Sequence, residues 1–146
     1  MKKVELPENC PPSWQEVYYY DLMEIYGETK VLGHTYAYHN RQKHVLELVK
    51  KVAKPGAKVL DVAASQGNYS LWLAELGYDV TWNDLRSELA DYVQLKHEKG
   101  NISYCPGNVF DLGFDASFDV VLITEIIEHV AHPDEFLHKI SQLVKP

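Results

Sequence analysis

The chain has 146 residues, enough for one domain with a real core, since a domain of that size buries roughly 68–70% of the surface its unfolded chain exposes. Its composition, 46% apolar and 24% charged, is that of an ordinary globular protein, and its longest wholly aliphatic stretch, residues 120–123, is far too short to cross a bilayer. The net charge of −7 argues against a general phosphate-backbone binder, and the polar, proline-rich sequence after Met1 lacks the apolar core of a signal peptide, so a cytoplasmic protein with no membrane or nucleic-acid partner is expected.

Residues 1–40 read as an aromatic cap. Six of the ten tyrosines (Tyr18, Tyr19, Tyr20, Tyr26, Tyr36 and Tyr38) lie there with Pro7, Pro11, Pro12 and Trp14. From Asn40, placed as an N-cap, Val45, Leu48, Val49 and Val52 recur at i, i+3, i+4 and i+7, which predicts an amphipathic helix ending near Pro55-Gly56 and packed on a sheet. Beyond it the period changes. Short β-branched runs at 58–62, 79–82, 102–105 and 119–124 predict strands, and the stretches between and after them, 68–76, 86–99 and 133–144, predict helices. Gly77 and Gly100 follow two of these helices and Pro133 opens the last, as helix boundaries favour. Strands alternating with helices predict an α/β fold with a doubly wound parallel sheet over residues 41–146. Cys10 and Cys105 are isolated, without metal-like spacing, and are expected to be free thiols.

Open parallel sheets bind ligands beyond the carboxyl ends of their strands, and the first strand-to-helix turn is the usual place. Here that turn is Asp61-Val62-Ala63-Ala64-Ser65-Gln66-Gly67-Asn68. Its small residues let the backbone approach a ligand, yet it holds one glycine where a dinucleotide fingerprint needs G-x-G-x-x-G. An acid at the strand end is compatible with a ligand that carries an ammonium and a sulfonium, and unfavourable beside a pyrophosphate. A plain structural turn capped by Asp61 is the bland alternative.

Asp61, Ala63, Ser65 and Gly67 fall on the acid and three glycine positions of D-x-G-x-G-x-G, the first motif of the class I S-adenosylmethionine-dependent methyltransferases, which the chain resembles. Two of the three family glycines are replaced. Alanine in a left-handed conformation costs about 1–2 kcal/mol, so a negative φ is expected at Ala63. The resemblance continues through Asp84 and Leu85 at the end of the second strand, through Gly107-Asn108-Val109, and through Thr124-Glu125-Ile126-Ile127-Glu128-His129-Val130. It implies an S-adenosyl-L-methionine cofactor and a small-molecule methyl acceptor. The implied cofactor site is Asp61, Ala63, Ser65, Gly67, Asp84, Leu85, Asn108, Val109 and Thr124. Within it Asp84 takes the ribose hydroxyls, and Asn108 replaces an acid that accepts the adenine amino group. For Asp84 the bland alternative is an N-cap of the next helix.

If the segment after the fourth strand is helical, Glu125, Glu128 and His129 share a face. A divalent metal, a proton-accepting His129 and a purely scaffolding role are all open readings, and His129 is taken as the catalytic candidate, without a metal. In the cap, Tyr18, Tyr36 and His39 are candidates to line the cofactor or the acceptor, the tyrosine rings by cation–π contact with a sulfonium, with lid packing as the alternative. The family's sheet has seven strands ordered 3-2-1-4-5-7-6, and only four are found here. The chain therefore reads as an enzyme truncated after the fourth strand and its helix, or as a homodimer that covers the open edge. A binding-only module and an NAD-type Rossmann protein are the competing functions.

Overall fold

The computed structural model describes residues 1–30, 32–114 and 116–146. The N-terminal part forms α1 (Pro12–Asp21), one π-helical turn (Leu22–Tyr26) and a long α2 (Leu32–Val52). The remainder alternates β1 (Lys58–Asp61), α3 (Asn68–Glu75), β2 (Asp79–Trp82), α4 (Leu89–Lys96), β3 (Asn101–Tyr104), β4 (Val120–Leu122), a 3-10 turn (Ile127–His129) and α5 (Pro133–Ser141). All strands are parallel, in the order β3-β2-β1-β4. This is the expected Rossmann-like methyltransferase topology, ending after the fourth strand and its helix.

Strand alternation assigns the two faces of the sheet. Val59 and Val80, adjacent in register, pack with Val49 of α2 and Leu73 and Ala74 of α3, while Trp82 packs with Leu89 and Val93 of α4. On the other face Leu60 and Val62 pack with Ile140 and Leu143, in and just after α5. Three helices thus cover one face and α5 the other. Beyond β4 no described strand pairs over Val120–Leu122, but Phe118 bridges Val144 in parallel, through Phe118 N–H to the Leu143 carbonyl (3.3 Å) and Lys145 N–H to the Phe118 carbonyl (2.9 Å). Among the described residues no helix is long and apolar enough to cross a membrane.

Several boundaries differ from the sequence expectation. Asn40 lies inside α2, which begins at Leu32, so it caps nothing. Helix α4 begins three residues later than predicted because the Asp84 carboxylate takes the Arg86 amide at 2.9 Å in a local turn, and it ends at Lys96 because His97 is extended (φ −70°, ψ 130°). Helix α5 stops at Ser141 because Leu143 and Lys145 turn to bond Phe118. Both cysteines are free thiols.

Candidate functional site

The ends of β1, β2 and β4 open into one cleft. Backbone bonds set its floor: Val62 N–H reaches the Leu122 carbonyl (3.0 Å), Asn83 N–H the Asp61 carbonyl (3.0 Å) and Ala64 N–H the Asn83 carbonyl (2.8 Å). The chain can turn this sharply only by reversing its hand. Ala63 (φ 54°) and Ser65 (φ 49°) are both left-handed, so the negative φ expected at Ala63 is wrong. The loop keeps a glycine-type backbone without the glycines. Its strain is held by Ser65, whose amide donates to Asp84 Oδ2 (2.8 Å), whose carbonyl accepts Trp82 Nε1–H (3.1 Å) and whose hydroxyl accepts the Arg86 guanidinium (2.9 Å). At Gly67 (φ 69°) a Cβ would lie 2.6 Å from Val93 Cγ1, so here glycine is required by both conformation and space.

The cleft holds about 470 Å³, within the range of small-ligand pockets. The loop contributes Ala63, Ala64, Ser65, Gln66, Asn68 and Tyr69; Asp84 and Arg86 come from beyond β2, and Thr124, Glu125, Ile126, Glu128 and His129 from beyond β4. The N-terminal helices α1 and α2 and the π turn close it with Glu16, Val17, Tyr20, Glu24, Tyr38 and Arg41. Of the expected site residues, then, Ala63, Ser65, Asp84, Thr124 and His129 meet in one wall. Asp61 lies beneath the floor, 1% exposed, with Ser70 Oγ donating to Oδ2 at 2.6 Å and Oδ1 without a partner. Gly67 is packed against α4, Leu85 projects into solvent at 75% exposure, and Val109 sits in the core near α5. Asn108 is outside the cleft lining, its oxygen accepting Phe110 N–H (3.2 Å) and its amide donating to Asp111 (2.9 Å).

Tyr18, Tyr36 and His39 do not line the cleft. Tyr36 is exposed, Tyr18 packs on the core near α4, and His39 bonds the Ile25 carbonyl. Tyr20, Tyr38 and Tyr69 take their place. Nor do Glu125, Glu128 and His129 share a helical face: Glu125 is left-handed (φ 54°) and the 3-10 turn starts only at Ile127. Among the described residues no three His, Cys, Asp or Glu side chains are gathered for a metal ion.

The electrostatics of the cleft were not legible in the sequence. Arg41 pairs with Glu125 across it, over the Tyr38 ring, and Arg86 pairs with Asp84. Burial pushes the Glu24 carboxyl up to about 7, partly opposed by Arg41 and reinforced by Glu125 and Asp21. Burial likewise pushes Asp61 up to about 7, against the hydrogen bonds from Ser70. Glu24 and Arg41 were missed because α1, the π turn and α2 reach the cleft only through tertiary packing. A π turn is a common mark of functional segments, but its local sequence carries no signal for it.

A parallel sheet ordered 3-2-1-4, with its cleft beyond the first strand and an acid after the second, is common to dinucleotide-binding domains and class I S-adenosylmethionine-dependent methyltransferase domains. The methyltransferase domain family model matches residues 60–146, and the chain belongs to that family. It is 37% identical over 100 residues to the ubiquinone biosynthesis O-methyltransferase of Xanthomonas campestris, covering 66% of this chain and 42% of that protein. The chain therefore spans less than half the length of that curated relative. Its fold is that of a SAM-dependent methyltransferase from Aquifex aeolicus (TM-score 0.55, 21% identity, 68% of this chain and 57% of the other). It also matches phosphoethanolamine N-methyltransferase 2 of Haemonchus contortus, solved with phosphomonomethylethanolamine and S-adenosylhomocysteine (TM-score 0.61, 24% identity, 73% and 26%).

Proposed function

We propose that this chain forms the cofactor-binding half of a cytoplasmic S-adenosylmethionine-dependent methyltransferase that acts on a small-molecule acceptor. The charge of the cleft carries the proposal. Five acidic side chains line it (Glu16, Glu24, Asp84, Glu125, Glu128), of which burial leaves Glu24 only partly ionised near pH 7, against two guanidiniums (Arg41, Arg86), each already paired with one of the others. Such a wall repels a pyrophosphate and favours a ligand bearing positive charge.

The residues fit that cofactor. The unpartnered Oδ1 of Asp61 beneath the floor is an acceptor awaiting positive charge at the loop. Arg41 offers a guanidinium for a carboxylate at the cap side of the cleft, and Asp84, though engaged by Ser65 and Arg86, keeps lone-pair capacity for ribose hydroxyls. Ala63 and Ser65 supply a floor the backbone lets a ligand approach, with Gly67 packed behind it on α4, and Thr124 lines the same cleft. The exposed Leu85, next to Asp84, offers an apolar face for an adenine ring, whereas Asn108 and Val109 lie outside the cleft lining.

When bound, S-adenosylmethionine supplies a methyl group already activated by its sulfonium. The chain's own task is to align the acceptor and, where the acceptor carries a proton of high pKa, to take it. His129, exposed at the cleft rim, is the candidate base; Glu24, held near neutrality in the opposite wall, is a second. A second copy of the chain could seal the outer edge of β4, but the parallel bridge of Phe118 with Val144 favours backbone of the same chain there. Calorimetry with S-adenosylhomocysteine and with NAD at equal concentration tests the proposal: the first is expected to bind and the second not, and the reverse result would discard it.

A further inference from the structure

Lys96, on α4, is 1% exposed and none of its charge reaches solvent. Its ammonium has three hydrogens and donates three bonds: to Asp21 Oδ2 (2.6 Å), to Asn68 Oδ1 (2.6 Å) and to the Gln66 carbonyl (3.0 Å). Asp21, the last residue of α1 and also 1% exposed, accepts in addition Asn68 Nδ2–H (2.8 Å) and the Tyr92 hydroxyl (2.7 Å). Asn68 Nδ2 also reaches the Tyr38 hydroxyl at 3.3 Å. Three segments are tied in one closed, fully satisfied network: the cap, the loop after β1, and α4.

A buried ion pair is weak evidence for stability, because the cost of desolvating two charges roughly cancels their attraction. What a closed polar network does supply is one geometry. Here that geometry bears on the cleft. Gln66 and Asn68 flank the left-handed Gly67 and both line the cleft, whereas Lys96 and Asp21 do not. The cap that Asp21 anchors provides the opposite wall through Glu16, Val17, Tyr20 and Glu24.

We propose that Asp21 and Lys96 are positioning residues: through Gln66 and Asn68 they set the cofactor loop and lock the N-terminal cap onto it, so that the two walls of the cleft form as one unit. This rests on the reading of the cleft as the cofactor site. A purely structural ion pair makes a different prediction, which separates the two.

The test compares the unmodified chain with Asp21→Asn, Lys96→Met and the double variant, by thermal melting and by calorimetry with S-adenosylhomocysteine. Each single change strands a buried charge, and melting is expected to fall by about 10 °C. The double change removes both charges and restores most of that loss. It does not restore the donors to Gln66 and Asn68, so S-adenosylhomocysteine binding is expected to be about tenfold weaker in Lys96→Met and in the double variant, and less weakened in Asp21→Asn, which keeps both donors. A double variant that melts near the original temperature and binds within twofold of the original affinity would overturn the proposal.

Hydrogen exchange on the unmodified chain tests it independently of any variant. Adding S-adenosylhomocysteine is expected to slow exchange in residues 92–96 of α4, which line no part of the cleft; protection confined to cleft-lining segments would also overturn it. Failure of the unmodified chain to bind S-adenosylhomocysteine at all would instead remove the cofactor reading and this inference with it.

Discussion

The Asp84 carboxylate accepts the amide of Ser65 at 2.8 Å, joining the end of β2 to the floor of the cleft. Its other oxygen takes the Arg86 amide (2.9 Å) and Nε (3.2 Å), so one side chain holds both the strained loop and the residue that lies across it. Asp84→Ala is expected to weaken S-adenosylhomocysteine at least about tenfold, or 1.4 kcal/mol, and Asp84→Asn, which retains one acceptor, to weaken it less. Titration calorimetry reads both. Equal affinity for Asp84→Ala and the parent would remove Asp84 from the site.

The left-handed backbone at Ala63 predicts an unusual direction of effect. Ala63→Gly relieves about 1–2 kcal/mol of strain and gives back about 0.4–1 kcal/mol through a freer unfolded chain, for a net gain of several tenths to about 1 kcal/mol. Gly67→Ala goes the other way, because φ is 69° and the new Cβ would sit 2.6 Å from Val93; a loss of about 2–4 kcal/mol is expected. Urea unfolding of the two variants checks the opposite signs.

The order of elements was readable because a period of 2 alternates with a period of 3.6 from Lys58 onward, and each change of period places a strand end where a ligand binds. Asp84 followed from its place at a strand end, and Thr124 from the resemblance of the segment after the fourth strand to the methyltransferases. What the letters did not carry was hand and tertiary reach. Alanine and serine ordinarily avoid positive φ, so nothing in the loop announced that Asp84, Trp82 and Arg86 would hold Ser65 there. The helical reading of residues 125–129 failed for the same reason, at left-handed Glu125. Arg41 and Glu24 were hidden because their helices meet the cleft from more than a strand's distance along the chain.

Asp61 makes stability depend on pH. Its carboxyl titrates at about 7 when folded against an ordinary 3.8, so the folded chain holds the proton more tightly, and stability falls as pH rises from about 4 to about 7. A shift of about 3 pH units corresponds to at most about 4 kcal/mol. Asp61→Asn, neutral throughout, is expected to gain stability relative to the parent as pH rises across this window. Urea midpoints at pH 4.5 and 7.5 measure it, and a difference that stays constant would refute the burial argument.

The Arg41–Glu125 pair is half-exposed on both sides, 36% and 56%, and exposed pairs contribute about 0–1 kcal/mol. Glu125→Gln is therefore expected to cost less than about 1 kcal/mol in stability. Glu125→Gly, which also relieves the left-handed backbone, should be neutral or stabilising in the same denaturation assay.

The most direct measurement is the map of backbone amide shifts in the labelled chain as S-adenosylhomocysteine is added. The cleft predicts that the largest changes fall on residues 63–68, 84–86 and 124–126, with the second hollow, around Gly113, Phe114 and Leu143, left nearly still. Changes centred on that second hollow, with the loop after β1 unmoved, would contradict the account.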